Sequence, residues 1–214
     1  MIKKNKIKLM LTSVIILLPI LAGLMLWSSL PEQVPTHWNA AGEIDGWSSK
    51  AFAVFGLPAI LLGVHILCIV ITSLDPKNQN ISGRMLDLVF WICPVMSVFL
   101  SCCTYAAALG KDVNIDTLTP AFIGVVLIAL GIYLPKCRPN YTIGIKLPWT
   151  LHDENNWSAT HRFAGPVWII GGILSTAVAL FNLKIVFFAI LLLVIVIPTI
   201  YSYLYYRKNS YLTS

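Results

Sequence analysis

Residues 163–206 read FAGPVWIIGGILSTAVALFNLKIVFFAILLLVIVIPTIYSYLYY, and Lys184 is their single charged residue. One helix over that stretch would be about 66 Å long, twice the roughly 30 Å hydrocarbon core of a bilayer. Lipid offers the backbone no hydrogen-bond partner, so an apolar run of this length must be helical. The stretch therefore folds as two spans, 163–183 and 185–206, that meet in a tight hairpin at Asn182 and Lys184. Working outward, four more uncharged runs appear at 9–30, 51–74, 88–109 and 118–134. About 20 residues cross a bilayer; three of these runs reach that length, and the fourth, with 17, is at the short limit.

Lysine and arginine placement tests the count of six. With the N-terminus in the cytoplasm, the inner side receives Lys3, Lys4, Lys6, Lys8, Lys77, Arg84, Lys136, Arg138, Lys146, Arg162, Arg207 and Lys208. The outer side receives only Lys50, Lys111 and Lys184. Omitting the short fourth run would split the same charges 7 to 8. Positive charge gathers on the cytoplasmic side, so the expected fold is an all-α membrane protein with six transmembrane helices and both termini cytoplasmic. The first run follows four lysines but is too long for a signal-peptide core, which has about 7–15 apolar residues. It reads as a retained span.

Composition agrees. Of 214 residues 57% are hydrophobic and 11% charged, against about 25% charged in ordinary globular domains. The net charge of +6 lies in short clusters between spans rather than in a stripe, which argues against direct nucleic-acid binding. Five cysteines (Cys68, Cys93, Cys102, Cys103 and Cys137) form no disulfide ladder or zinc spacing and read as small apolar residues. Trp27, Trp91, Trp168, Tyr201, Tyr203, Tyr205 and Tyr206 fall near predicted span ends, where headgroups favour such rings. Pro19, Pro58, Pro94 and Pro198 fall within spans.

Two segments outside the spans carry information. The external one, 31–50, holds Pro35, His37, Trp38, Gly42, Asp45 and Trp47, with turn sequences at 39–42 and 45–46. It reads either as a cap that meets a ligand or peptide, or as a turn that seals the bundle. The cytoplasmic one, 140–165, contains a capping-box-like start at Thr150 and Asp153, and a helix on which Asp153, Trp157 and His161 share a face. It reads either as a docking surface or as an interfacial helix anchoring the fifth span. His65 stands alone in the middle of the second span, a candidate intramembrane functional group or a hydrogen-bonded structural one. No phosphate cradle, nucleophile elbow or zinc motif is present. No cofactor, metal site or catalytic residue is expected, and the spans hold no carboxylate to pair with His65 for hydrolysis.

The stretch from Gly144 to Leu151, followed by Trp157 and 160–165, closely resembles the SdpI family of bacterial toxin-immunity proteins. The external segment, with Val34-Pro-Thr-His-Trp-Asn39, Gly42, Asp45, Trp47 and Lys50, looks like the domain of unknown function that commonly precedes it. The resemblance implies an integral protein of the bacterial cell membrane that protects its cell from a secreted toxin peptide. In that family a second role is capture of a transcriptional repressor at the membrane. It also implies a cytoplasmic binding surface of Asn140, Gly144, Lys146, Pro148, Trp149, Thr150, Trp157, His161 and Arg162, and an external one of Pro35, His37, Trp38, Gly42, Asp45 and Trp47. Arg and Thr are expected where this chain has Lys146 and Leu147, and lysine lacks arginine's forked contact. The expected organisation is a two-span unit at 1–74, a third span and connections at 75–118, and an SdpI-like unit at 119–214 with its motif loop at 135–163. The alternative function is a small transporter or channel, motivated by His65 and the span prolines.

Overall fold

A computed structural model of the chain describes residues 1–81 and 83–210, without the Ser210 side chain. It contains six helices long and apolar enough to cross a membrane. The long helices are α1 (Lys6–Met25), α2 (Leu57–Leu74), α3 (Gly83–Ala108), α4 (Ile115–Tyr133), α6 (Glu154–Ala179) and α7 (Lys184–Ser210), and a short α5 (Pro148–His152) precedes α6. Large apolar side chains line their outer faces, for instance Val14, Leu67, Val125, Ile170 and Leu193, all about half exposed or more. Water would not tolerate so much contiguous apolar surface, and lipid is its natural solvent. The fourth span reaches Ile115–Lys136, longer than its uncharged run, because Asp116 near its start pairs with Lys184 at 2.8 Å.

The segment between the first two spans adds structure that turn sequences alone did not imply. β1 (Gln33–Trp38) and β2 (Ile44–Ser49) form an antiparallel hairpin. Asn39 makes its turn: the side-chain Oδ1 accepts from the N–H groups of Ala41 and Glu43, and Gly42 adopts φ +81°. A π-helical turn, Phe52–Gly56, then leads into α2.

Two compact units can be described separately. The first comprises Met1–Ser73 and Asp87–Ile115. Leu30, Val54 and Tyr105 form a core there, and Ile20, Leu26 and Ala108 pack against it. Ser97 donates to the Ile16 carbonyl at 2.8 Å and the Tyr105 hydroxyl to the Pro19 carbonyl at 3.1 Å, so buried hydroxyls tie α3 to α1.

The second unit comprises Leu74–Leu86 and the chain from Asp116 onward. Here α4 meets α6 along a seam of glycines. A Cβ on Gly131 would lie 2.8 Å from the Gly165 carbonyl oxygen, and one on Gly172 would lie 2.5 Å from that of Gly124. Each helix carries its pair seven residues apart, two turns on one face, so the backbones touch as small residues allow within membranes. Trp168, expected near a membrane surface, instead lies deep in α6 and donates its indole N–H to the Val194 carbonyl at 2.9 Å. The reason is that α6 begins at Glu154, nine residues before its uncharged run, so the cytoplasmic motif is the first part of the span helix. Asn182, at φ +51°, makes the turn between α6 and α7.

Candidate functional site

The cytoplasmic motif is built from its buried residues outward. Asn140 is buried, and its Oδ1 accepts from the N–H groups of Thr142 (2.9 Å) and Ile143 (2.6 Å) while its Nδ2 donates to the Arg138 carbonyl (2.8 Å). It thereby closes the loop that follows α4. Trp157 is 0% exposed, donates its indole N–H to the Cys137 carbonyl at 2.8 Å and stacks on His161 with ring centroids 4.2 Å apart. His161 Nδ1 donates to the Trp157 carbonyl at 2.7 Å, which leaves Nε2 to accept from Ile145 N–H at 2.9 Å. The ring is therefore neutral with its proton on Nδ1. Gly144, at φ +119°, passes so close that a Cβ would come 2.5 Å from His161 Nε2.

Thr150 is buried inside α5; its hydroxyl accepts from Leu147 N–H at 2.9 Å and faces the Ile145 carbonyl at 2.9 Å. Asp153 belongs to a different helix: it N-caps α6, accepting from Asn155 N–H at 2.8 Å, so the single capping box expected over Thr150 and Asp153 is two separate caps. Trp149 donates to Ser202 Oγ at 2.8 Å and packs against Tyr203 and Tyr206. Ser202 in turn donates to Asn156 Oδ1 at 2.9 Å, which also accepts from Thr160 at 2.9 Å, so a satisfied polar network joins α6 to α7.

The expected cytoplasmic surface is thus corrected. Asn140, Thr150, Trp157 and His161 are buried and shape the loop; Lys146, Pro148 and Arg162 are exposed, with Trp149 and Gly144 between. Lys146 Nζ donates to the carbonyls of Tyr141 (3.2 Å) and Thr142 (3.0 Å), so its position is fixed by the same loop.

Sequence reasoning passed over Asp75, which anchors this loop. Its carboxylate accepts from the Thr142 hydroxyl (2.6 Å), Tyr141 N–H (2.8 Å) and Lys77 N–H (2.8 Å). Burial pushes its pKa up, but the Thr142 hydroxyl and the backbone donors outweigh that and hold it below the ordinary carboxylate value. An acidic residue just past a span reads as routine anchoring, so its sequence carries no signal. Cys137 is buried under the same loop, and burial pushes its thiol up to about 11.

On the hairpin, His37 Nδ1 lies 2.5 Å from Asp45 Oδ1, with both side chains exposed. The Thr36 and Ser48 hydroxyls pair at 2.9 Å, and Trp47 is 55% exposed. Pro35 is buried and Trp38 and Gly42 are half-buried, so the outer face reduces to His37, Asp45 and Trp47, flanked by Trp38. Lys50 Nζ reaches the Leu30 carbonyl (3.1 Å), the Trp27 carbonyl (3.3 Å) and Glu32 (2.9 Å), placing a cation beyond the C-terminal end of α1 where the helix dipole favours it.

His65 is fully buried, with its Nε2 2.9 Å from Thr12 Oγ1 and its ring at 70° to that of Phe90, centroids 6.1 Å apart. The Thr12 hydroxyl also lies 2.9 Å from the Lys8 carbonyl and 3.0 Å from that of Leu9. Among the described residues, no three His, Cys, Asp or Glu side chains converge to hold a metal.

Six bilayer-length helices with one folded segment at each of two connections define a multi-pass α-helical membrane protein. Residues 136–202 match the model of the SdpI/YfhL protein family, and residues 14–62 match the domain of unknown function DUF1648. The chain is thus similar to the SdpI/YfhL family over its C-terminal third and to DUF1648 over the segment in front. It is similar to the immunity protein SdpI of Bacillus subtilis (strain 168), 29% identical over 96% of this chain and 97% of that relative. No solved structure matches it.

Proposed function

We propose that this chain is an immunity protein of the bacterial cell membrane that protects its cell from a secreted toxin peptide. The observation that carries the reading is the near full-length likeness to a protein named for immunity, spanning both folded segments. The basic residues assign the hairpin to the outside, where a toxin arrives, and the motif loop to the cytoplasm. The hairpin offers Trp47 as an aromatic anchor beside the His37–Asp45 pair, chemistry suited to an amphipathic peptide. Should a repressor be captured on the inner side, the groups available to it are Lys146, Pro148, Arg162 and the edge of Trp149. The chain acts by binding in this reading, not by catalysis. The transport reading has only His65 behind it, whose Nε2 is engaged by Thr12 and whose Nδ1 is buried without a partner among the described residues.

The test is a toxin challenge of sensitive cells at matched membrane abundance. Cells carrying the protein should survive doses that kill cells without it, and Trp47→Ala should lower the protective dose ratio while Lys146→Ala should not. Equal killing with and without the protein sinks the proposal.

A further inference from the structure

A basic cavity in the second unit remains after the motif residues are assigned. It holds about 540 Å³ and is lined by Gln79, Asn80, Gly83, Arg84, Lys136 and Arg138. Three of these six are cations, all exposed, and among the described residues none of the three has a carboxylate partner. Acidic groups are already occupied: Asp87, one turn after Arg84, pairs with Lys8, Asp75 is held by Thr142, Tyr141 and Lys77, and Glu154 lies 3.7 Å from Lys77. The walls are joined, because Asn80 Nδ2 donates to the Pro139 carbonyl at 2.8 Å and so ties the segment before α3 to the loop after α4. Three cations without carboxylate partners around one open hollow repel one another unless an anion joins them.

Position identifies the anion. Arg84 is the second residue of one span and Lys136 the last of another, so both stand at the level where a bilayer carries its headgroups. Along α4 the exposed apolar residues Leu118, Val125 and Ile132 recur every seven positions, two helical turns, and form a stripe running toward Lys136. A phosphate in the cavity would thus continue into an apolar track fit for an acyl chain. We propose that this cavity binds the phosphate-bearing headgroup of an anionic phospholipid. Basic pockets at cytoplasmic span ends recognise such headgroups, and each basic residue near the surface contributes about fivefold in affinity.

The purified full chain, stripped of lipid in detergent, is titrated with fluorescent phosphatidylglycerol and phosphatidylcholine. Phosphatidylglycerol should bind at least about tenfold tighter. The triple variant Arg84→Gln, Lys136→Gln, Arg138→Gln should weaken it on the order of a hundredfold. A variant with the same loss of charge on the same side, Lys3→Gln, Lys4→Gln, Lys6→Gln, should not. The three single variants, each expected to lose about fivefold, keep the test open if the triple variant fails to fold. Equal loss in both triple variants, or no preference between the lipids, would overturn the site. Displacement by inorganic phosphate as effective as by the lipid would mean a free phosphate site. Tight binding of a polyglutamate peptide in phosphatidylcholine nanodiscs would mean a protein docking site. Either outcome overturns the lipid assignment.

Discussion

Gly144→Ala tests the motif loop most sharply, because one methyl group meets two independent obstacles. At φ +119° a side-chain-bearing residue costs about 1–3 kcal/mol. The new Cβ would also sit 2.5 Å from His161 Nε2 and 3.0–3.1 Å from the Trp157 ring, which stacks on that histidine. If His161 retreats, the Ile145 N–H loses its acceptor, at about 1–3 kcal/mol for a buried donor. The total is about 2–6 kcal/mol, read as unfolding free energy by SDS titration in mixed micelles. Gly63→Ala, in α2 with nothing within 4 Å of its new Cβ, should leave stability unchanged or raise it. His161→Ala alone should cost about 2–4 kcal/mol. Combined with Gly144→Ala it should fall about 1–3 kcal/mol short of additivity, because the clash is relieved and Ile145 is orphaned only once. Strict additivity, or a Gly144→Ala variant as stable as Gly63→Ala, would refute the described contact.

Three further outcomes follow from the same geometry. The carboxyl of Asp75 is depressed in the folded chain, so its stabilisation is complete above its ordinary pKa of 3.8 and is lost as pH falls through the lower folded value; Asp75→Asn should flatten that acid limb of the melting profile. Cys137, with its thiol at about 11 and its sulfur buried, should react with maleimide at pH 8 at least about tenfold more slowly in the folded chain than after SDS denaturation. In intact cells, a cysteine introduced at Ser49 should take an impermeant label, whereas one at Lys146 should take it only after permeabilisation; the reverse pattern would invert the assigned topology.

The spans were legible because their evidence is the length of uncharged runs, which depends on no tertiary contact. The motif was legible as a segment, but not in which of its residues are buried. Its inward positions, 156, 157, 160 and 161, carry Asn, Trp, Thr and His, whereas 154, 155, 158 and 162 face outward. That is a 3.6-residue period, but both faces are polar, so a hydrophobicity pattern cannot distinguish them. Only the pairing of Asn156 with Thr160 and Ser202, and of His161 with Ile145, makes such a face buriable. The glycine seam could have been found: Gly124 and Gly131, and Gly165 and Gly172, are each seven apart within apolar runs. Spacing alone does not say which pair meets which.

Burial of the motif changes what its variants would mean. Trp157, His161 and Asn140 hold the loop's shape, so replacing any of them would remove Lys146, Pro148 and Trp149 from their places along with the contact itself. Loss of protection in such a variant would therefore report folding of the loop and leave its partner unidentified. The exposed side chains separate the two effects. Lys146→Ala removes two hydrogen bonds to loop carbonyls from an exposed ammonium, which costs about 1 kcal/mol or less, and leaves the Trp157–His161 stack in place. A defect in the proposed capture of a repressor, with unchanged thermal stability, would then belong to recognition, and an equal fall in both would return the motif to architecture.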